Sequence, residues 1–512
     1  MAGINEDPDR QVVPLWRTFT TTARRGELGS VAAVNEARFS DDMVANLRRE
    51  WEEHPILLVA SDLVSVALTL GRFDVARQAA EDILSDSSAS PSAKDIAELY
   101  LERGKRPTSK GQTASIVLVE TSRSDINSSP LRQQLQMGIS ETKKKLIAYP
   151  RNPMLWGNLA LRYTSLGLYE KAERAIRSAL ALAPDNRFVL RSASRFYLHA
   201  GERNRAHRLL ADAAIVRADP WVLSAEIATA AAIGKTSRNI KIARKILERQ
   251  RHPPFHLSEL ASAIGTLESQ SGNMKTARPL VAYSLRDPAE NSIAQAAWLH
   301  RNFGRIGIEQ DSTPSSEANA WFAWRAARWE SALVNAKRWL SEQPFSSRPA
   351  MLGSHIASVM VEDYAEAAAL ARQGLLSNPD DFALRNSLAF SLAQQDEVLE
   401  AAKAFKHVEE GRLTEQQRIV WMATRGLIAF RSGDLTAGRH LYREAFSLGA
   451  RIHDVREIIA RIYYAREELR VGAADAEHIR KGTLEAATSL TEPSYLVMVD
   501  RLKYYQPNRP TV

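Results

Sequence analysis

The chain has 512 residues and a formal net charge of +8, and 45% of its residues are hydrophobic and 25% charged, a balance typical of soluble proteins. It contains no cysteine, which excludes disulfides, thiolate zinc sites and a cysteine nucleophile. No apolar run reaches the roughly 20 residues that span a bilayer, and the first residues lack the pattern of a secretory signal. These features predict a cytoplasmic protein without a transmembrane segment.

Residues 1–13 are expected to form a flexible tail. Residues 14–103 are expected to be helical, with one repeat-like unit that starts near Leu63. Residues 104–129 are rich in Lys, Ser, Thr and Gly and are predicted to form a polar linker or loop. The apolar run at residues 116–119 inside this linker fits a short strand, a docking segment or a helical turn. A serine followed by Pro130 predicts the start of the next helix.

Prolines recur along the chain with a nearly constant spacing. Five of the six gaps in one series span 34 to 36 residues, and the series is Pro150, Pro184, Pro220, Pro254, Pro288, Pro344 and Pro379. A single hydrophobic core gives no reason for such a period, whereas a stack of similar two-helix units does, because each unit ends at a similar turn. The spacing therefore predicts an all-α solenoid whose units share one elongated core.

The unit at residues 153–184 carries the clearest pattern. Gly167 separates two amphipathic helices, where a turn can use positive φ. The positions that would pack between the helices are Trp156, Leu159, Ala160, Tyr163, Ala172, Ile176 and Ala179. This pattern resembles the tetratricopeptide repeat, which places Trp, Leu, a small residue and Tyr in its first helix, and Ala and an aromatic residue in its second, before a closing Pro.

The resemblance covers most of residues 55–450 and implies a right-handed superhelix of helix pairs. In this register, residues 130–303 form a first array, residues 304–316 an interrupting loop and residues 317–450 a second array. Residues 451–512 are expected to form capping helices and a tail, because terminal repeats must cover the exposed end of a stack.

Motifs for catalysis or cofactor binding are weak. The Gly-Lys-Thr run at residues 234–236 matches only the end of a phosphate-binding loop, and its place in the repeat favours an inter-helix turn. His252 and His256 stand four apart, but the two prolines between them break any helix, so surface histidines are favoured over a metal site. The sequence predicts a non-enzymatic protein without a cofactor or metal.

A basic helix is predicted within residues 235–251, which carry seven Lys or Arg residues against one acidic residue. Four of the seven share one predicted stripe: Arg238, Lys241, Lys245 and Arg249. Two interpretations remain open. The stripe is either a solvated outer face or a site for an acidic partner, nucleic acid or an anionic surface.

A second basic group, Arg191, Arg195 and His199, falls on one face of the first helix of its unit. In tetratricopeptide proteins this face commonly lines the concave groove, so the resemblance implies contacts with a partner's carboxylates. The alternative is solvated arginines without a ligand.

A tryptophan-rich stretch opens the second array. The repeat register places Trp329 and Trp339 in the packing between helices. It directs Trp321 and Trp324 toward the groove beside Arg325, and both residue types are enriched in binding hot spots. The alternative is that these rings pack against the interrupting loop.

Together, these features predict a non-enzymatic scaffold or adaptor that holds a helical or extended segment of another protein in its concave groove. An acidic segment would suit the basic contacts. The alternative is a nucleic-acid-binding helical solenoid that uses its basic surface, which a steep salt dependence of binding would reveal.

Overall fold

The described part of the chain is almost entirely helical. The computed structural model describes residues 10–18, 36–53, 73–87, 130–148, 152–304, 313–406 and 408–506, with the single residues 63, 94 and 97. Within these ranges the chain contains no strand, and the predicted all-α class is confirmed. The predicted linker at residues 104–129 lies outside the described residues, as does most of the predicted loop at residues 304–316.

The chain divides into two compact units, Asp9–Ala318 and Asn319–Val512, called here the first and second units. The first-unit helices are α1 (Glu36–Glu53), α2 (Phe73–Ser85), α3 (Pro130–Ala148), α4 (Pro153–Ser165), α5 (Tyr169–Leu182), α6 (Arg187–His199), α7 (Arg203–Ala211), α8 (Pro220–Ala232), α9 (Ile240–Arg249), α10 (Pro254–Gln270), α11 (Met274–Ser284) and α12 (Glu290–Phe303). Helix α13 (Ser316–Arg325) crosses the boundary between the units.

Helices α4 to α11 form four consecutive pairs. The first helices, α4, α6, α8, α10 and then α12, pack against one another in series. The second helices α5, α7 and α9 each pack against their own partner and against the next first helix. Each pair therefore contacts its sequence neighbours, as in a repeat stack, and the predicted tetratricopeptide-like arrangement is confirmed. Its right-handedness stays a prediction.

The predicted proline period marks the junctions between pairs. Pro220 and Pro254 are the first residues of α8 and α10. At this position the fixed φ of proline suits a helix, and the N–H that proline lacks would have no intrahelical partner. The Asp219 carboxylate caps α8 by accepting hydrogen bonds from the N–H groups of Trp221 (2.8 Å) and Val222 (3.2 Å). These local rules set where each first helix begins.

Glycines with positive φ form the turns inside the pairs. Gly167 has a φ of 71° and Gly234 a φ of 69°, a conformation in which a β-carbon is strained. Helix α8 precedes Gly234, where a phosphate-binding loop would need a strand. The Gly-Lys-Thr run at residues 234–236 is therefore an inter-helix turn, as its place in the repeat predicts.

The core of the clearest unit matches its predicted pattern. Most of the residues predicted to pack between α4 and α5 are buried: Leu159, Ala160, Tyr163, Ala172, Ile176 and Ala179. Trp156 is partly buried and packs against the cluster around Met154 and Phe188. The apolar faces of the two helices thus meet each other, which fixes the pair.

The second unit continues the helix pairs and ends in a cap. Its helices after α13 are α14 (Trp329–Glu342), α15 (Ser347–His355), a π-helix (Ile356–Val361), α16 (Tyr364–Ser377), α17 (Phe382–Gln394), α18 (Val398–Phe405), α19 (Glu415–Arg431), α20 (Leu435–Arg451), α21 (Arg456–Arg470), α22 (Ala476–Ala486) and α23 (Pro493–Lys503). Helices α21 to α23 supply the predicted C-terminal cap.

The cap folds back onto the π-helix of the same unit. From α23, the Arg501 guanidinium donates hydrogen bonds to the carbonyls of Val359 and Met360, which the end of a helix leaves without intrahelical partners. From α21, Arg466 pairs with Glu362 at 2.7 Å. These contacts link the start and end of the second unit.

None of the helices in the described part of the chain combines the length and apolar character that crossing a lipid bilayer requires.

Candidate peptide-binding face

The most distinctive feature of the first unit is a non-helical segment, residues 10–18, which lies against the first helices. We call it the inserted segment, and we call the surface of α6, α8, α10, α12 and the start of α13 that it covers the first-helix face. Residues 10, 12, 14 and 16 are buried, and the residues between them are partly exposed. Alternating burial is the pattern of an extended chain with one face on a surface.

The prediction of a flexible tail over residues 1–13 is therefore wrong for residues 10–13, and the prediction of helix from residue 14 is wrong for residues 14–18, which are not helical. Residues 1–9 lie outside the described residues. The partners of the inserted segment lie far along the sequence, as Glu317 lies 307 residues from Arg10, so no local pattern reveals them.

Arg10 is held by three side chains from two helices. Its guanidinium forms a bidentate pair with Glu317 at the start of α13, with both N–O distances 3.0 Å. The same group donates to Asn291 Oδ1 at 3.1 Å and to Gln295 Oε1, both on α12. The side chains of Arg10 and Glu317 are 5% and 7% exposed. A planar guanidinium suits such a fork of acceptors better than a lysine would.

Two side-chain amides of α12 also hold the backbone of the inserted segment. Gln295 Nε2 donates to the Arg10 carbonyl at 2.9 Å, and Asn291 Nδ2 donates to the Val13 carbonyl at 2.8 Å. Main-chain contacts of this kind supply affinity without selecting a side chain, whereas the pockets between them select the sequence. The face thus has both components of a peptide-binding site.

Apolar and charged anchors complete the contact. Val12 is fully buried in a hydrophobic cluster formed by α6, α8 and α10. The Trp16 ring meets Phe196 of α6 edge to face, with centroids 6.1 Å apart. The Arg17 guanidinium pairs with Glu290, the first residue of α12, where the helix dipole also favours a carboxylate.

Arg191, predicted to face an open groove, is 7% exposed and bound within the chain. Its guanidinium forms a bidentate pair with Glu259 of α10, at 2.8 and 3.1 Å, and donates to the Trp221 carbonyl at 3.1 Å. Glu259 also accepts a hydrogen bond from Asn291 at 3.3 Å. Arg191 therefore supports the residues that hold the inserted segment. An accessible Arg191 was the wrong expectation, because sequence spacing locates the face but not what covers it.

Arg195 and His199 are only partly buried on α6. His199 Nε2 lies 3.1 Å from the Tyr169 hydroxyl of the preceding pair, so the ring joins two units of the stack. The structure does not bring Arg195 and His199 to the contacts of the inserted segment. Their assignment to a partner-binding site stays a prediction.

The sequence favoured a surface position for His256. The structure instead places it in the buried network of this face. The Trp221 indole donates to His256 Nδ1 at 3.2 Å, which leaves the proton on Nε2, and Nε2 lies 3.3 Å from Glu50 of α1. Burial lowers the pKa of the neighbouring His252. The proline break correctly argued against a shared helical face, but it gave no information about burial.

The tryptophan cluster of the second unit is core. Trp321 is 4% exposed and Trp324 is 9% exposed, and both belong to the main hydrophobic cluster with Trp339. The Trp324 ring contacts Trp329 edge to face at 5.1 Å. Arg325 is partly buried, and burial lowers the pKa of its guanidinium. The expectation that Trp321 and Trp324 project toward the groove is wrong, because both rings are buried, and this removes the physical basis for assigning them to a partner.

The predicted basic stripe lies on a different surface and is accessible. Arg238, Lys241, Lys245 and Arg249 are all exposed. Three of them lie on α9, whereas Arg238 precedes the helix, which begins at Ile240. Their role as an anion site stays a prediction.

Sequence reasoning missed both sides of the peptide contact. The missed residues are Arg10, Val12, Trp16, Arg17, Glu259, Glu290, Asn291, Gln295 and Glu317. One usable signal existed. Glu259, Glu290 and Asn291 lie on helix positions that the repeat buries, and buried carboxylates require cationic partners.

The known proteins that resemble this chain in structure share little sequence with it and have low TM-scores. No family model and no curated protein matches the chain. Similar solved structures include yeast Tom70, at 12% identity and a TM-score of 0.27, covering 87% of this chain and 95% of that chain. They also include the Cut9–Hcn1 hetero-tetramer of the APC/C, at 12% identity and a TM-score of 0.32, covering 91% of this chain and 93% of that chain. The complex of Naa15 and Naa10 bound to HypK-THB has 13% identity and a TM-score of 0.22, with 91% and 80% covered.

Scores this low carry no functional argument, so the assignment rests on the helix pairs, their glycine turns and their proline junctions. On these features, the chain has the fold of a tetratricopeptide-like helical repeat protein.

Proposed function

We propose that the protein is a non-enzymatic interaction scaffold whose first-helix face binds an extended protein segment. One observation carries this proposal: the inserted segment occupies that face through buried arginine pairs, main-chain hydrogen bonds and apolar anchors. A surface that holds one extended segment in this way has the chemistry to hold another with the same pattern. The inserted segment is then the occupant that a partner must displace.

The charge of the face defines the partner. Glu290 and Glu317 pair with Arg17 and Arg10 of the inserted segment, and Glu259 pairs with Arg191. Glu259 keeps its Arg191 partner when the inserted segment leaves, whereas an incoming segment without cations would leave Glu290 and Glu317 buried and unpaired, which costs free energy. The proposed partner is therefore a segment with two arginines seven positions apart and apolar residues between them. This charge is opposite to that of the acidic partner considered from the sequence.

The proposal includes no catalytic step. The three buried carboxylates of the face are engaged by arginines, and a carboxylate held in this way is a poor general base.

A peptide added in trans tests the proposal on the full-length chain. The triple variant Arg10→Ala, Trp16→Ala, Arg17→Ala weakens the inserted segment without removing it. A fluorescent peptide of residues 8–18 should bind this variant and bind the unmodified protein at least about tenfold more weakly. The reason is that a tethered segment competes at an effective concentration of the order of millimolar. Fluorescence anisotropy measures both affinities.

A peptide with both arginines replaced by glutamate is the control and should not bind. Equal binding of both peptides to the triple variant, or equal binding of the original peptide to both proteins, would contradict the proposal. Circular dichroism establishes that the variant is folded. If it is not, Arg17→Ala alone provides the milder variant for the same titration.

A further inference from the structure

The second helices of the first unit form a strongly basic surface. Helices α5, α7, α9 and α11 carry twelve Lys or Arg residues, three on α5, three on α7, four on α9 and two on α11. They carry three acidic residues, two on α5 and one on α9. We call this surface the basic outer face. The stripe predicted from the sequence is only its α9 portion.

Most of these cations are exposed and without an ion pair among the described residues. Arg205 pairs with Glu173, and Arg244 pairs with Glu268. The other ten are exposed and have no ionic partner within the described ranges: Lys171, Arg174, Arg177, Arg203, Arg208, Lys241, Lys245, Arg249, Lys275 and Arg278. Like charges held together on one surface raise its potential and attract anions.

The second unit shows that the fold does not require this charge. Its second helices α14, α16, α18, α20 and α22 carry nine Lys or Arg residues against seven Asp or Glu residues. Several of these charges pair with each other, as Lys337 does with Glu366 and Lys403 with Glu400. The basic outer face is therefore a property of the first unit and not of helix pairs in general.

The four helices themselves carry no exposed apolar anchor, and the exposed Leu168 lies just before α5. No large hydrophobic side chain on α5, α7, α9 or α11 is among the exposed ones in the described chain. Protein interfaces usually place aromatic and apolar residues at their centre and few lysines. An open depression of about 590 Å³ lies at the start of α7, and its charged lining residues are Arg203, Arg205, Arg208 and Glu202. This composition favours a polyanion over the surface of a folded protein.

We propose that the basic outer face binds the phosphate backbone of double-stranded nucleic acid without reading its base sequence. Each second helix packs on first helices and not directly on the next second helix, so neighbouring second helices are at least the roughly 8–10 Å of packed helices apart. The four helices therefore spread their cations across at least roughly 30 Å. Along α9, Lys241 and Arg249 are separated by about 12 Å. Cations spread over these distances can contact both rows of phosphates that flank a duplex groove, which is about 6–12 Å wide. An extended acidic peptide would contact only one row of cations on the basic outer face.

The proposal is tested by measuring how salt affects binding to a random-sequence duplex of about 24 base pairs. Each phosphate that the protein neutralises contributes about −0.9 to the slope of the logarithm of the association constant against the logarithm of the salt concentration. The variant Lys241→Glu, Lys245→Glu should weaken binding at least about tenfold and reduce the magnitude of the slope by about two. The matched control is Arg443→Glu, Lys481→Glu, which alters exposed residues of the second unit and changes the net charge equally. It should retain the slope of the unmodified protein.

Several outcomes would overturn the proposal: no duplex binding at low salt, an equal loss in both variants, or tighter binding to polyglutamate or to anionic lipid vesicles than to the duplex at the same ionic strength. Circular dichroism checks the fold of each variant. If the Glu variant is unfolded, Lys241→Gln, Lys245→Gln should reduce the slope in the same direction. The basic outer face does not include the inserted segment, so this test is independent of the one for peptide binding.

Discussion

Three buried arginines at the first-helix face each pair with a glutamate. Arg10, Arg17 and Arg191 each meet a glutamate. A buried pair often adds little net stability over an apolar pair, because both ions must leave water. Removal of one charge destabilises the fold more than removal of both, since it leaves the other charge buried without a partner. This asymmetry makes the pairing testable at single residues.

For the Arg191–Glu259 pair, we expect Glu259→Ala to destabilise the first unit by about 3–5 kcal/mol, because Arg191 then remains buried without its partner. The double variant Arg191→Met, Glu259→Leu should be less destabilising than Glu259→Ala, since it removes both charges. Urea unfolding followed by circular dichroism measures the difference. A double variant at least as unstable as the single one would refute the role of the pair.

The tryptophans of the second unit give a second prediction at this scale. Trp321→Ala and Trp324→Ala should each destabilise the protein by about 3–5 kcal/mol, as large core truncations do. Trp339→Ala should behave in the same way, whereas Trp329→Ala should cost less because that ring is only partly buried. Thermal unfolding of the four variants decides this. Native-like melting of the first two would show that their rings lie outside the core.

At the scale of helices, the parts set by local chemistry could be predicted. Proline at the start of first helices, asparagine and aspartate caps, and glycine turns are short-range features, and the predicted order of helix pairs follows from them. The inserted segment could not be predicted, because Arg10 and Glu317 are 307 residues apart in the sequence. The predicted orientation of the Trp321 and Trp324 side chains was wrong for a related reason. Repeat register locates a helix face, but tertiary packing decides what covers it.

The junction between α15 and its π-helix contains a titratable group, His355. Its ring lies 5.5 Å from the Trp324 ring, and burial lowers the pKa of His355 to about 3. Above the usual histidine pKa, both the folded and the unfolded states are neutral. As the pH falls from about 6.5 toward 3, the unfolded state binds a proton that the folded state does not, so stability is lost.

We therefore expect the unmodified protein to lose stability relative to a His355→Gln variant when the pH drops from about 7 to about 5, by at most about 1.4 kcal/mol per pH unit. The comparison cancels other titrating groups, which both proteins share. Urea midpoints at the two pH values provide the measurement. A constant difference between the two proteins would show that His355 titrates normally in the folded state.

At the scale of the whole molecule, the two units use the same helix pairs for different surfaces. The first unit places its paired carboxylates on the first-helix face and its free cations on the basic outer face. The second unit mixes both signs on its second helices and links its ends through Arg466 and Arg501. A repeat stack permits this because each second helix in the described part of the chain has an exposed face, which can vary in charge without a change in fold.

The position of the inserted segment also determines when the first unit can be completed during synthesis. Translation proceeds at about 5–20 residues per second, so roughly 15–60 s separate the emergence of Arg10 from that of Glu317. Until the helices that bind them have emerged, Val12 and Trp16 have no finished surface to cover them, which makes them candidates for chaperone contact. The entropy of closing a long loop grows only slowly with its length. The rate of translation, and not the conformational search that closes the loop, therefore determines how long the inserted segment waits before it can dock.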